Sequence, residues 1–188
     1  MQKYNKKRSK TIINLLLFFI ISLFLYKPAL KMYYPLKYHS YIETYCAKYN
    51  VDEYLVMGVI SAESGFKEDA KSHKGAVGLM QITNPTAKWC IEHFALDIDE
   101  KNINDPKSNI EIGCAYLEYL IDTYSNTKTA LAAYNAGPGN VNKWLKNPDY
   151  STDGASIENI PFGETEKYVE RVFKRRTVYY DIYEKCKN

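Results

Sequence analysis

The sequence has little cysteine and histidine, and neither type is arranged as a metal site. Its 188 residues include four cysteines and three histidines, His39, His73 and His93, which lie far apart. No CxxC or HExxH motif occurs. Because zinc sites are built from closely spaced pairs of such ligands, we expect no metal and no other cofactor.

Basic residues are not in excess beyond the N-terminus. Residues 1–37 hold eight Lys or Arg and no acid, whereas the rest of the chain holds 17 basic and 22 acidic residues. Proteins that bind nucleic acid need a basic surplus to pair with phosphates. We therefore expect no nucleic-acid partner.

Repeats, low-complexity tracts and strong strand signals are also missing. With 46% hydrophobic residues, the chain is long enough to bury one sizeable core. The sequence predicts an all-α fold with a single globular domain over residues 38–188, behind an N-terminal segment over 1–37. We expect this domain to be a monomer.

The N-terminal segment combines a basic head with an apolar stretch. The head carries Lys3, Lys6, Lys7, Arg8 and Lys10, and the apolar stretch runs from Ile12 to Tyr26. This pattern is typical of an export signal or a membrane anchor. No small-x-small cleavage site follows Tyr26, so an uncleaved anchor is favoured over a secreted protein. Its N-terminus is then cytoplasmic and the domain extracytoplasmic, with a tether over residues 27–38.

The cysteines leave two states open. An even number of extracytoplasmic cysteines permits one or two disulfides, while free buried thiols fit equally well. The four residues are Cys46, Cys90, Cys114 and Cys186.

Apolar residues recur at helical spacing over most of the domain. Capping residues, prolines and glycines indicate where the helices begin and end. The expected helices cover Tyr38–Tyr49, Asp52–Ser64, Pro85–Phe94, Pro106–Tyr124, Thr129–Tyr134 and Glu164–Cys186. Residues 65–81 and 151–161 are predicted to be loops, the first wrapping one side of a site.

One carboxylate stands where its helix should have an apolar residue. Glu63 follows Ile60, Val59 and Val56 at helical intervals of three, four and seven residues, so it shares their buried face. Desolvation disfavours the charged form of such a group and raises its pKa. A general acid that works near neutral pH needs this property, so we interpret Glu63 as a candidate catalytic acid.

Four separated segments share polar, aromatic and glycine residues at element ends. They are Glu63-Ser64, Gly78-Leu79-Met80-Gln81, Ala133-Tyr134-Asn135-Ala136-Gly137 and the run from Ile160 to Val169. In content and order they resemble the signature blocks of the soluble-type lytic murein transglycosylases, over about Tyr38–Cys186.

The resemblance implies a lysozyme-like, predominantly helical fold and a peptidoglycan substrate. In this family a single Glu, here Glu63, protonates the glycosidic oxygen between N-acetylmuramic acid and N-acetylglucosamine. It then takes the proton of the sugar's own C6 hydroxyl, leaving a 1,6-anhydromuramic end without consuming water.

The resemblance also implies roles for other residues. Ser64 and Ser72 would lie near the carboxyl or the substrate, Gly78 would let the backbone approach the sugar, and Met80 would line the subsite. Gln81 would bond the substrate or the neighbouring loop. Tyr134 would reach Glu63 or pack on a sugar, and Asn135 would donate to the acetamido group. Glu164 would meet the stem peptide or amino sugar, and Tyr168 would assist the catalytic centre.

Two other functions remain open at this point. A hydrolytic muramidase would cleave the same bond with water and a second acid, for which Glu68 and Asp69 are close in the chain. A peptidoglycan-binding component of an envelope-spanning apparatus would use the cleft without cutting. Lys67-Glu68 stands where many family members have Asn-Pro, and this difference affects loop shape more than chemistry.

Overall fold

The computed structural model describes residues 2–184, and side chains from residue 14 onward except those of Leu23 and Lys27. Cys186 and the basic side chains of residues 3–10 therefore lie outside the described part. The α-helices of the described residues are α1 (Gln2–Tyr33), α2 (His39–Tyr49), α3 (Glu53–Glu63), α4 (Asn84–His93), α5 (Pro106–Tyr124), α6 (Thr127–Ala136), α7 (Pro138–Trp144) and α8 (Gly163–Tyr183).

Between residues 2 and 184 there is no β-strand, so the predicted all-α class is confirmed. Two isolated bridges, Lys71 with Val77 and Val77 with Ile82, shape the loop after α3. A short 3-10 helix, Glu100–Asn102, precedes α5.

The N-terminal helix is longer than the sequence predicts. Its segment Asn14–Tyr33 has a mean hydropathy of 1.8, is not buried against the rest of the protein, and is long and apolar enough to cross a membrane. The tether predicted over residues 27–38 is too long, because α1 continues through Pro28 to Tyr33 and only residues 34–38 are not helical. A proline removes only one hydrogen bond from a helix, and neighbouring turns can keep it continuous.

Helices α3 and α8 pack against each other more extensively than any other pair of described helices. A Cβ placed on Gly58 would lie 2.9 Å from the Val172 carbonyl oxygen, so glycine is required where the two helices meet. Arg176 of α8 donates to the Asp52 carboxylate through Nη2 at 2.6 Å. Asp52 also caps α3, because its Oδ1 accepts from the Leu55 amide at 2.6 Å. This pairing holds the beginning of α3 beside the last turns of α8.

Helix α5 packs against α2, α4 and α6 through the apolar face that the sequence predicts. Ile110, Cys114 and Leu117 are fully buried on it. Cys46, Cys90 and Cys114 are free, buried thiols, which matches the second of the two states left open for the cysteines.

Helix α7 is absent from the sequence prediction, which placed a stop at Gly137-Pro138-Gly139. Pro138 instead occupies the first turn of a new helix, where its missing N–H has no bond to lose. The resulting sharp connection brings the end of α6 to the cleft described next.

Candidate active site

A cleft opens where α3, α6, α8 and the loop over residues 65–82 meet. The section nearest the end of α3 has a volume of about 320 Å³. Its lining residues are Glu63, Ser72, His73, Lys74, Ala76, Gln81, Thr83, Tyr134, Asn135 and Glu164. Five residues predicted for the site therefore line one cavity together with Glu63.

Glu63 is the last residue of α3, and its side chain is half-buried above the apolar face of that helix. Burial raises the pKa of Glu63 from its ordinary value of 4.5 to about 7. The Tyr168 hydroxyl and the positive charge of Arg171 act in the opposite direction. The predicted rise in pKa is present, and desolvation is its dominant cause.

Two tyrosines of the cleft have buried hydroxyls near this carboxyl. Desolvation, and after it the charge of Glu63, raises the pKa of both Tyr134 and Tyr168 well above the usual range. The Tyr168 hydroxyl has no hydrogen-bond partner of regular geometry within residues 2–184, although it is close enough to affect Glu63. The Tyr134 hydroxyl donates to the Met80 carbonyl at 2.9 Å. The Tyr134 hydroxyl thus bonds the loop backbone while it remains close enough to Glu63 to respond to the charge of that carboxyl.

Hydrogen bonds in and next to the loop show what three of the predicted site residues do in the fold. The Ser64 hydroxyl donates to the Ile60 carbonyl at 3.2 Å and accepts from the Phe66 amide at 3.1 Å. The Ser72 hydroxyl accepts from the Ala76 amide at 3.0 Å. The Gln81 amide group donates to the carbonyls of Gly78 and Ala70 at 2.9 and 3.1 Å. Gln81 was expected to bond either the substrate or the neighbouring loop, and in the structure it bonds the loop.

Gly78 and Met80 serve the core rather than the cleft, which corrects their predicted roles. A Cβ on Gly78 would lie 2.4 Å from the Asn109 Nδ2 atom, so the close approach is to this amide and not to a sugar. Gly78 also has a φ of 78°, which favours glycine. Met80 is fully buried against Gly113 and does not line the subsite.

Asn109, on α5, holds this loop in place and was missed by the sequence analysis. Its Oδ1 accepts from the Met80 amide at 2.8 Å. Its Nδ2 donates to the carbonyls of Val77 and Ile103 at 3.0 and 2.8 Å. The sequence did offer a signal for this role, because Asn109 is a polar residue next to Ile110 on a helical face that was predicted to be buried.

Asn135 and Glu164 are exposed at the opposite wall of the cleft. The Asn135 Oδ1 accepts from the Thr165 hydroxyl at 2.8 Å, which leaves the amide N–H groups available to a ligand. Glu164 lies in the first turn of α8. Both residues line the same section of the cleft as Glu63.

The cleft continues away from Glu63 toward residues that the sequence analysis did not select. A middle section shares Lys74, Gln81, Thr83, Tyr134 and Asn135 with the first section. An apolar end section of about 310 Å³ is lined by Pro85, Thr86, Trp89, Tyr116, Tyr119 and Pro138. The Tyr116 ring lies 5.5 Å from that of Tyr134 and 6.1 Å from that of Trp89. A row of aromatic rings thus leads away from the carboxyl.

The acids suggested for a hydrolytic alternative lie elsewhere. Glu68 and Asp69 line another groove, together with Asn104 and Asp105. Glu68 accepts from the Tyr38 hydroxyl at 2.8 Å. The second carboxylate lining the Glu63 section is Glu164. Among the described residues, no three His, Cys, Asp or Glu side chains are grouped as metal ligands.

Comparisons with known proteins identify relatives of this chain. Residues 40–156 match the transglycosylase SLT domain. The soluble lytic murein transglycosylase of Escherichia coli is 36% identical over 154 residues, 80% of this chain and 23% of that protein. A membrane-bound lytic murein transglycosylase C of Salmonella arizonae is 34% identical over 122 residues, 59% of this chain and 34% of that protein.

A solved structure is similar as well. The lytic transglycosylase Slt of Pseudomonas aeruginosa, crystallised as an inactive mutant, aligns with a TM-score of 0.72 and 32% identity over 81% of this chain. The chain spans about a quarter of the length of that protein and of its Escherichia coli relative. The match to the domain covers more than half of the chain, and the chain therefore belongs to the transglycosylase SLT domain family.

Proposed function

We propose that this protein is a peptidoglycan lytic transglycosylase that uses Glu63 as its single general acid and base. The bond cleaved is the β-1,4 linkage from N-acetylmuramic acid to N-acetylglucosamine, and the product is a 1,6-anhydromuramic end. The observation that carries this proposal is a carboxyl with a pKa of about 7 inside the cleft of an SLT domain. Such a pKa suits a group that must first give and then take a proton near neutral pH.

The reaction balances without water. Protonated Glu63 gives its proton to the glycosidic oxygen as the bond from that oxygen to C1 of the muramic residue breaks. The C6 hydroxyl oxygen of the same residue then forms a bond to C1. The ionised Glu63 takes the hydroxyl proton, which returns the enzyme to its starting state.

The surroundings of Glu63 support both halves of this cycle. Burial keeps the acid protonated before cleavage. Once the proton has left, the positive charge of Arg171 and the Tyr168 hydroxyl favour the carboxylate. The Asn135 amide N–H groups, which have no partner among the described residues, support a role in donating to an acetamido group. Ser72 and Gln81 hold the loop that forms one wall. The exposed carboxylate of Glu164 supports a contact with an amino group of the substrate.

A hydrolytic muramidase is the second candidate, because Glu164 lines the same section of the cleft as Glu63. Digestion of purified peptidoglycan followed by mass spectrometry separates the two reactions. Anhydromuramic ends, lighter by one water than reducing ends, are expected. Reducing ends as the main product would contradict the proposal.

The test of the acid itself is Glu63→Gln, which removes the transferable proton while keeping the shape of the side chain. We expect release of muropeptides to fall at least about 100-fold, the lower range of a general acid's contribution. Glu43→Gln, on the exposed side of α2, is the matched control and should retain activity. Unchanged cleavage by Glu63→Gln would contradict the mechanism, and absence of cleavage by the unaltered protein would favour a binding component of an envelope apparatus.

We further propose that α1 anchors the protein, with residues 38–188 acting outside the cytoplasmic membrane. The apolar segment Asn14–Tyr33 and the basic residues before it support this topology. Without protease, the full protein should sediment with membranes. Protease added to intact spheroplasts should digest the domain. A domain released into the medium would support signal cleavage instead.

A further inference from the structure

One side of α8 carries a row of cations. Lys167, Arg171, Lys174 and Arg175 recur at helical spacing, and they line a groove of about 410 Å³ together with Tyr33 and Tyr34. We call these four cations the α8 basic stripe. Over this span a helix rises about 12 Å, so the charges form a compact patch.

The groove lies directly beside the end of α1. The Tyr34 ring packs edge-on against that of Tyr179, with centroids 5.3 Å apart. The Tyr183 hydroxyl donates to the Tyr34 carbonyl at 2.6 Å, and the Lys31 ammonium lies 5.5 Å from the centre of the Tyr183 ring. These contacts attach the α8 basic stripe to the point where the apolar segment Asn14–Tyr33 ends.

Within residues 2–184 the stripe has little neutralising charge, although Arg171 is near enough to Glu63 to lower the pKa of that carboxyl. The ion pairs of the described residues are His39 with Glu53, Lys48 with Glu111, and Arg176 with Asp52, and none includes a member of the stripe. Arg175 donates to the Ser61 hydroxyl at 3.0 Å, a neutral partner. Glu170 is the one acid that lines the groove, so a net positive charge remains.

We propose that the α8 basic stripe binds the anionic phospholipid headgroups of the leaflet from which α1 emerges. This inference rests on the proposed anchoring of α1 in a membrane. Tyrosines at the end of an apolar helix sit at the headgroup level, and cations within a few ångströms of that level are attracted to anionic lipid. Acidic groups of the wall peptide would match the same charge, but they give no reason for the stripe to adjoin the end of α1.

Binding there would orient the cleft relative to the bilayer. Tyr168, which affects the pKa of Glu63, is the residue after Lys167 and lies one turn before Arg171. A single anchoring helix leaves a domain free to turn about its axis, whereas a second contact on α8 fixes one face toward the lipid. Cleavage would then be directed at glycan held at a set angle to the membrane.

The test uses the full chain in vesicles of neutral phosphatidylcholine, with or without phosphatidylglycerol. An amine-reactive reagent that cannot cross the bilayer labels outward-facing copies, and mass spectrometry reports each lysine. Labelling of Lys167 and Lys174 should be about fivefold slower in the anionic vesicles, and high salt should reverse the protection. Lys88 and Lys107, exposed on α4 and α5, are internal references and should label equally in both.

Equal labelling of Lys167 and Lys174 in the two vesicles would overturn the proposal. Protection by soluble muropeptide in neutral vesicles, with none from phosphatidylglycerol, would also overturn it and assign the stripe to the wall peptide. Failure of the chain to float with neutral vesicles would refute both anchoring and the lipid contact. Cleavage of peptidoglycan by the same preparation would show that the proposed activity stands independently.

Discussion

At the scale of single residues, Glu63 shows how burial prepares a carboxyl for proton transfer. It follows a run of apolar residues on α3 and ends that helix at the cleft, so its carboxyl is only partly hydrated. The result is a pKa of about 7 instead of 4.5. Each unit of such a shift corresponds to about 1.4 kcal/mol between the two protonation states, and the folded domain bears this cost when Glu63 is ionised.

That cost predicts a pH dependence of stability. Between pH 4.5 and 7 the unfolded chain has released this proton while the folded chain keeps it. Folding then takes up a proton, so the contribution of Glu63 to the free energy of unfolding falls as pH rises through this window. Relative to Glu63→Gln, the unaltered protein should lose on the order of 2 kcal/mol between about pH 5 and about pH 8.

Urea unfolding of both proteins at the two pH values measures this difference. Glu43→Gln again serves as the control, because an exposed carboxyl should leave the pH dependence of the unaltered protein in place. Parallel stability curves for Glu63→Gln and the unaltered protein would show that Glu63 titrates like a hydrated glutamate.

A second prediction at this scale concerns the Tyr168 hydroxyl, which favours the charged form of Glu63. Tyr168→Phe should raise the pKa of Glu63 further and move the alkaline limb of the rate profile to higher pH. Stability should change little, because the hydroxyl is buried without a regular hydrogen bond among the described residues. The measurement is the rate of muropeptide release against pH.

Tyr179→Phe is the matched control for this experiment. The Tyr179 hydroxyl is also buried without a regular hydrogen bond in the described part of the chain, but it lies near Tyr34 and Tyr183 rather than Glu63. Its removal should leave the pH profile unchanged. Equal shifts in both variants would point to general loosening of α8.

At the scale of elements, the loop over residues 65–82 forms a cleft wall although it contains no helix. Asn109 provides three hydrogen bonds to backbone groups, two of them in this loop. Asn109→Ala would leave those groups buried and unpaired, so we expect a loss of about 3 kcal/mol in the free energy of unfolding. Limited proteolysis should then cut within the loop before the rest of the domain.

Asn104→Ala, at an exposed position just before α5, is the control and should change stability by less than about 0.5 kcal/mol. If Asn109→Ala resisted proteolysis as well as this control does, the loop would be held by its other contacts, such as those of Gln81.

At the scale of the whole molecule, the cleft exists only because α3, α4, α5, α6 and α8 converge. Its aromatic end is lined by Trp89, whose ring lies 4.7 Å from that of Tyr119. If glycan extends along the cleft from Glu63, Trp89→Ala should lower affinity for a long glycan fragment about tenfold, as truncating a buried aromatic anchor does. Affinity for a disaccharide should be unchanged.

Calorimetric titration in the Glu63→Gln background separates binding from cleavage. Trp89→Phe should retain most of the affinity, and Tyr41→Ala, an exposed aromatic on α2, should retain all of it. An equal loss of affinity by Trp89→Ala for short and long fragments would indicate that Trp89 supports the fold of the cleft and does not contact sugar.

Local signals were sufficient for most elements. Four helices are capped by a side chain that accepts a hydrogen bond from the backbone amide three residues later in the sequence. The capping residues are Asp52, Thr83, Asp105 and Asn126. Such an interaction is encoded by residues close together in the sequence. The same reasoning failed at Pro28 and at Gly137-Pro138-Gly139. There a local signal marks a bend or a boundary, but it does not say whether helix continues or resumes beyond it.

The sequence alone determined the helical class, the apolar N-terminal segment and Glu63 as an acid on an apolar face, because hydrophobic periodicity and capping act over a few neighbouring residues. Only the tertiary structure decided that Met80 and Gly78 serve the core, that Tyr134 bonds the loop, that Asn109 holds this loop in place, and that Trp89 lines the end of the cleft. These roles depend on contacts between residues tens of positions apart, and such contacts exist only once the helices have packed.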